Sequence, residues 1–361
     1  MKLASSLIGA LVLHSTVATT VEVTTTVDPI ASFDDIVGLT LRSFLNFDRR
    51  APARPTPAPL VFSQVYPDVL AFADVVDGIN ANIHARDLQT SLTTFVHAFQ
   101  NRQYNSTEGI ASAGWIYDHV HALASLRPDL TLSVRKFDHP WGQFSVIARV
   151  DPAPTARRHS DVLIVGAHQD SVNWADWKNE HLRAIAPGAD DDGSGTITIL
   201  ESLKYLLTSA TWHPTRPVEF HWYSGEEEGL LGSKAIAKDY AARKVPVYAQ
   251  LQQDMTGWVN PDAPPTVTLI DDWTSPALNA FVVKVVDAYL DIPADFKTCG
   301  YACSDHASWF DAGFPSSFPY EDKADNPNVH SQRDTLATID WEHVTQFAKL
   351  TVGFVVELTQ A

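Results

Sequence analysis

The residues best able to do chemistry lie in five scattered fragments: Gly166-Ala-His-Gln-Asp-Ser171, Ala186-Pro-Gly-Ala-Asp-Asp-Asp-Gly-Ser-Gly195, Ser224-Gly-Glu-Glu-Glu-Gly-Leu-Leu-Gly-Ser233, Leu251-Gln-Gln-Asp-Met-Thr256 and Asn326-Pro-Asn-Val-His330. One carboxylate ahead of a helix meets the positive end of its dipole. A helix start needs at most one such cap, whereas Asp190, Asp191 and Asp192 supply three. Desolvated carboxylates raise one another's pKa, and a dication removes that cost. His, Asp, Glu, Asp and His spread over one α/β pattern form a ligand set for two zinc ions sharing a carboxylate.

Each fragment has its own logic. In a strand, His168 and Asp170 can project to the same side, and a ligating imidazole usually passes its other ring hydrogen to a carboxylate, a backbone carbonyl or water. His168 is therefore the ligand and Asp170 its orienting partner. Asp191 is the candidate bridging ligand, although spacing does not choose among the three aspartates. Adjacent residues after a strand point apart, so among Glu226, Glu227 and Glu228 one can bind metal while a neighbour moves protons as a general base. Asp254 ends an apolar strand, where an unpaired carboxylate is expensive. His330, in a polar loop, gains its role only from the company of the others.

Positioning these groups requires a sheet. Asp161-Val-Leu-Ile-Val-Gly-Ala167 is an apolar, β-branched run suited to a buried parallel strand. Strands over 130–137, 142–150, 217–223, 246–253, 266–270 and 314–320 are expected. They are interleaved with helices over 71–85, 88–99, 107–126, 196–207, 232–242, 276–290 and 341–358. The alternation implies an α/β fold, a mostly parallel central sheet sandwiched by helices. His168, Glu226, Glu227 and Asp254 then fall at carboxyl ends of strands, where open α/β sheets bind ligands.

Composition narrows the class. With 361 residues and 45% hydrophobic content the chain can build one large domain. A formal charge of −17 excludes a nucleic-acid partner that needs a basic stripe, and suits a substrate with a cationic amine. Residues 1–18 read as a signal peptide: Met1-Lys2, an apolar run from Leu3 to Leu13, then small residues to Ala18. No later apolar run is long enough to span a membrane. Residues 19–65 read as a pro-segment and proline-rich linker, with dibasic Arg49-Arg50 ahead of Ala51-Pro-Ala-Arg-Pro-Thr-Pro-Ala-Pro59 as a processing signal. The product is expected to be secreted. Asn105-Ser-Thr107 is an N-glycosylation sequon.

In combination these fragments, with Asn101-Arg-Gln-Tyr104 and Cys299-Gly-Tyr-Ala-Cys-Ser-Asp-His306, resemble the M28 family of zinc metallopeptidases, and in particular secreted fungal leucine aminopeptidases. The resemblance runs from about Tyr66 to the C-terminus, so residues 66–361 are expected to be a single catalytic domain. It implies a hydrolase with two zinc ions, bridged by Asp191, with His168 and Asp254 completing one site and Glu227 and His330 the other. It implies Glu226 as general base to a water shared by the metals, Asp170 as partner of His168, and Tyr301 as hydrogen-bond donor to the substrate oxyanion. It further implies a Cys299–Cys303 disulfide, and a pocket for the first substrate side chain built from Met255, Tyr320 and Val329. The stretch Glu321 to Asn326 looks shorter than in bacterial relatives, with Ala324 near a position that is aromatic there. The expected activity is that of a monomeric aminopeptidase, made as a zymogen, that removes apolar, leucine-like residues from peptides with a free amino terminus. Related readings are a di-zinc carboxypeptidase or deacylase, a single-zinc glutaminyl cyclase, and a silent scaffold that would lack one or more ligands.

Overall fold

The computed structural model describes residues 62–154, 156, 159–174 and 184–360. The expected signal peptide and all but the last four residues of the expected pro-segment and linker lie outside the described residues. Phe62 to Val65, placed with the linker by composition, pack onto the catalytic unit. Phe62 meets Phe310 edge to face at 5.7 Å, Gln64 donates to the Val247 carbonyl and the Tyr248 hydroxyl donates to the Val65 carbonyl.

The main sheet has six strands: β1 (Thr131–Phe137), β2 (Ser145–Asp151), β3 (Val162–His168), β4 (Val218–Tyr223), β5 (Val247–Gln252) and β8 (Ser316–Ser317), in the order β1-β2-β4-β3-β5-β8. From β4 to β8 all neighbours are parallel, whereas β1 with β2 and β2 with β4 are antiparallel. Residues 138–144 are too few for the helical crossover that a parallel partner needs. The sheet is therefore mixed: a parallel block carrying the site, with an antiparallel hairpin at one edge.

Alternation along β3 splits the core into two layers. Leu163, Val165 and Ala167 face one side, Val162 and Ile164 the other, all buried. The first side is covered by α2 (Ala85–Ala98), α4 (Gly193–Thr208) and α8 (Trp341–Thr359), with Leu92, Leu203, Phe347 and Phe354 in one cluster. On the second lie α5 (Leu231–Arg243) and α7 (His306–Asp311), through Ile236, Tyr240 and Trp309. Phe220 of β4 is fully buried, and burial of such a side chain stabilises by about 2–3 kcal/mol. The remaining helices, α1 (Ala73–Asn80), α3 (Thr107–Ala122) and α6 (Pro276–Tyr289), complete the shell.

A second sheet orders its strands β7 (Ala294–Lys297), β6 (Val267–Ile270) and β9 (Pro319–Tyr320). The single strand expected over 314–320 is thus two fragments in different sheets. Pro319 has no N–H to continue a ladder, so the chain changes sheets around Phe318. Two further elements escaped sequence reasoning, β7 and α7, because four and six residues are too short to display a period.

A buried polar network links the hairpin to the parallel block. Glu219 accepts hydrogen bonds from Arg149 (2.8 Å), Tyr240 (2.5 Å) and His221 (3.0 Å). Burial alone would raise its carboxyl; these partners outweigh burial and hold it at about 2. A depressed carboxylate contributes stability above its unfolded value and loses it as pH falls toward the folded one. The interval between about 2 and the ordinary 4.5 corresponds to roughly 3 kcal/mol. Glu219→Gln should lower the unfolding free energy by that order at pH 7. The difference from the parent should shrink between pH 4.5 and 2, measured by denaturant unfolding across that range.

Candidate metal centre

Three parallel strand ends and two loops build the site. His168 is the last residue of β3, Glu226 and Glu227 follow β4 after the turn at Gly225 (φ +70°), and Asp254 follows β5. Asp190 to Asp192 immediately precede α4 with a cis peptide between Asp191 and Asp192, and His330 sits in the loop before α8 with φ +55°. Gly195, in the first turn of α4, has no room for a side chain: a Cβ would lie 2.3 Å from the Asp192 carboxylate and from the Gln253 carbonyl.

Five of these side chains, His168, Asp191, Glu227, Asp254 and His330, converge. The two oxygens of Asp191 face different imidazoles, Oδ1 at 3.0 Å from His168 Nε2 and Oδ2 at 2.9 Å from His330 Nε2. His168 Nε2 also lies 3.5 Å from Asp254 Oδ1, and His330 Nε2 lies 3.2 Å from Glu227 Oε2. A tetrahedral ion with bonds of ~2.0–2.2 Å holds its ligand atoms roughly 3.3 Å apart, which matches these separations. The donor set passes a second test. His168 Nε2 and Oε1 of Glu227 are buried without a hydrogen-bond partner, as expected of atoms that would face a cation.

The three aspartates differ in the groups that their carboxylates face. Asp190 accepts from Gly257 N (3.0 Å) and from the Asn326 amide (2.8 Å). Asp192 accepts from His168 N, Gly195 N and Met255 N, so its nearness to His168 and Asp254 reflects a structural duty. Asp191 is the member aimed at both imidazoles. Its own N–H and that of Asp190 are fixed by Asp334, at 3.0 and 2.9 Å.

Electrostatics follow from burial. Burial raises Glu227 to about 7 and lifts Glu226 well above the carboxylate range. Burial would lower the His168 imidazole, but Asp254, Asp170 and Asp191 outweigh it and raise it well above its ordinary value. For Asp191, burial is overcome by the His168 and His330 imidazoles, which hold its carboxyl below the usual range. A cation among these groups would compensate several desolvated carboxylates at once.

Asp170 does more than the sequence implied. Its Oδ1 lies 3.5 Å from His168 Nδ1, and it also accepts from Glu226 N (3.1 Å) and Glu227 N (3.3 Å), locking the glutamate turn to the end of β3. Sequence reasoning gave no role to Asp334 or Arg102. Arg102 is fully buried and donates to the carbonyls of Gln169 (2.9 Å), Pro187 (2.5 Å) and Gly188 (2.8 Å), tying together the loops that carry Asp170 and Asp191. Its only signal was its place in the quoted Asn101-Arg-Gln-Tyr104 fragment. Arg102→Met strands those carbonyls and removes a cation beside the aspartates. It should cost roughly 3–5 kcal/mol of stability and lower metal content, read by thermal unfolding and elemental analysis.

The remaining expected residues flank the cluster. Cys299 and Cys303 form a disulfide, and Tyr301 between them is 55% exposed. Burial of part of its ring and the Glu226 carboxylate raise its hydroxyl. Met255 is buried at φ +62° directly after Asp254, Val329 is half-buried before His330, and Tyr320 is half-buried with Lys297 Nζ 4.7 Å over its ring. Ala324, also half-buried, donates its N–H to Asp322 at 2.8 Å. Asn105 is exposed, at a cavity of about 410 Å³ that it shares with Glu108 and Ile185 and that holds none of the clustered ligands.

The family model for peptidase family M28 matches residues 145–355, a span that contains every member of the cluster. The chain belongs to peptidase family M28. It is 40% identical over 329 residues to leucine aminopeptidase 1 of Ajellomyces dermatitidis, covering 87% of this chain and 82% of that one. A similar relative, leucine aminopeptidase 1 of Grosmannia clavigera, is 41% identical over 312 residues, covering 83% and 74%. The structure of the LapA aminopeptidase of Legionella pneumophila superposes with a TM-score of 0.74 at 30% identity, covering 84% of this chain and 78% of that one. The M28 family and these relatives indicate a metallo-aminopeptidase, a hydrolase built as one mixed α/β domain. None of the described helices is long and apolar enough to cross a membrane.

Proposed function

We propose that this chain is a secreted di-zinc aminopeptidase that removes apolar, leucine-like residues from peptides with a free amino terminus. The observation that carries the reading is the Asp191 carboxylate, with one oxygen against each of two imidazoles. His168 and Asp254 would hold one zinc, Glu227 and His330 the other, with Asp191 shared. When bound, the zinc pair lowers the pKa of water and polarises the scissile carbonyl.

The protein's own groups do the rest. Glu226 takes the proton of the attacking water and returns it to the leaving amine. Burial raises this carboxyl, so it holds a proton more tightly than a free glutamate, as suits a group that takes one from water. Asp170 holds the Glu226 backbone and the His168 ring in register. Tyr301 donates a hydrogen bond to the carbonyl oxygen as it becomes anionic. Met255, Tyr320 and Val329 receive the first side chain, and the carboxylate-rich cleft attracts the protonated α-amine. The leucine preference is supported by the two fungal relatives, both leucine aminopeptidase 1.

Residues 1–18 are read as a signal peptide and 19–65 as a pro-segment and linker cut after Arg49-Arg50, with Asn105 glycosylated and the mature enzyme a monomer. Intact mass and N-terminal sequencing of the secreted product check the processing, and light scattering checks the assembly. The activity is tested with leucine anilide before and after chelation. Activity should fall more than 100-fold, return with zinc at two ions per chain, and be absent on N-acetyl-leucine anilide. Full activity in a metal-stripped sample would defeat the proposal.

A further inference from the structure

The loop that carries Tyr301 is held from below by a carboxylate outside the metal cluster. Strands β6 and β7 run parallel, and at their carboxyl ends Asp271 N donates to the Lys297 carbonyl at 3.1 Å. Beyond that bond the two chains separate into Asp271-Asp272 on one side and Thr298 to Cys303 on the other. The Asp271 carboxylate accepts from the Thr298 hydroxyl at 2.6 Å. Asp272, only 3% exposed, accepts from Cys299 N at 3.1 Å through Oδ1 and from Gly300 N at 2.7 Å through Oδ2. A buried carboxylate receiving two successive backbone N–H groups fixes both peptide planes, and charge-assisted bonds of this kind are the strong ones. Gly300 stands at φ +83°, a conformation open to glycine and strained for other residues. The Cys299–Cys303 disulfide closes the same loop from its far end. Tyr301 follows directly, at the exposed tip.

We infer that Asp272 is a positioning residue for Tyr301: it sets the backbone direction from which the phenol reaches the substrate oxygen. The inference rests on the proposed role of Tyr301. The Asp272 carboxylate is spent on Cys299 N and Gly300 N rather than on a residue assigned to the metals, so its effect is expected on the oxyanion side of the reaction. A loop fixed only at its ends by the disulfide would leave the Gly300 peptide free to rotate; the two N–H bonds remove that freedom. Positioning to within a fraction of an ångström is what a preorganised oxyanion donor requires.

Asp272→Asn replaces one accepting oxygen by an NH2 group facing an N–H, with almost no change of volume. It should lower kcat on leucine anilide about 10-fold with KM within about 3-fold, on the scale of a lost charge-assisted hydrogen bond. Zinc content should be unchanged, and amide hydrogen exchange in the peptide spanning residues 298–304 should accelerate. Tyr301→Phe alone should lower kcat about 100-fold. In the Tyr301→Phe background, Asp272→Asn should change kcat less than 3-fold, because both act on one contact. Gly300→Ala perturbs the same backbone without touching the core, since a Cβ there meets nothing within 4 Å. It should reproduce the kcat loss and the same non-additivity, and it carries the test where Asp272→Asn does not fold. If Tyr301→Phe leaves kcat intact, the oxyanion role of Tyr301 fails. If Tyr301→Phe is impaired but the second substitution multiplies its defect, or if exchange in 298–304 is unaltered, the positioning role of Asp272 fails.

Discussion

Glu226→Gln is expected to reduce kcat on leucine anilide by 10³- to 10⁴-fold while metal content and melting temperature stay close to those of the parent. Positioned general bases contribute roughly 10²–10⁴-fold, and in the proposed mechanism one carboxylate both accepts and returns the proton. Its backbone N–H is held by Asp170 at 3.1 Å, so the amide variant keeps the same placement and loses only basicity. Burial raises the Glu226 carboxyl well above the carboxylate range, and the neighbouring carboxylates of Asp254, Asp305 and Glu227 push the same way against His168. The acid limb of kcat/KM should therefore lie above the pH of a free glutamate and vanish in the variant. Steady-state kinetics across pH 4–9 with parallel elemental analysis provide the measurement. A variant with near-normal turnover would remove Glu226 from the reaction; one that loses zinc would make it a ligand.

Asp191→Asn is expected to have the other large effect, through the metals rather than the proton. Its two oxygens meet His168 and His330 at 3.0 and 2.9 Å, so one substitution weakens both halves of the cluster. Loss of a shared anionic ligand should take zinc below two ions per chain and kcat/KM down by 10³-fold or more. Stability supplies an independent readout. A ligand present at 1,000 times its Kd stabilises the folded state by about 4 kcal/mol, so the parent should melt well above its chelated form. In Asp191→Asn that gap should nearly close. Asp190→Asn gives the contrast: its oxygens serve Gly257 N and Asn326, so its defect should be one of folding, present with or without zinc. Equal zinc-dependent stabilisation in Asp191→Asn and the parent would exclude the bridging role.

Much of this architecture was readable because the signals are local. The β-branched run 161–167 is a strand whatever surrounds it, and period-3.6 apolar patterns marked α2, α6 and α8 to within a few residues. Fragments at strand ends pointed to the cluster because the carboxyl edge of a parallel sheet is where scattered residues meet. Pairing direction was not local. Whether β2 runs with or against β4 depends on a loop doubling back, and Pro319 moved the chain between two sheets where an apolar run suggested a single strand.

The sequence alone determined the inventory: which side-chain types exist for metal, proton and oxyanion work, and the strand-loop-helix order that delivers them. Only the tertiary structure tells chemically identical neighbours apart. Asp190, Asp191 and Asp192 carry the same carboxylate and differ solely in which N–H groups and imidazoles folding presents to them. Arg102, Asp272 and Asp334 stayed silent for the same reason. Their partners are backbone N–H and carbonyl groups of distant loops, and every residue has those, so no residue type in the sequence announces them.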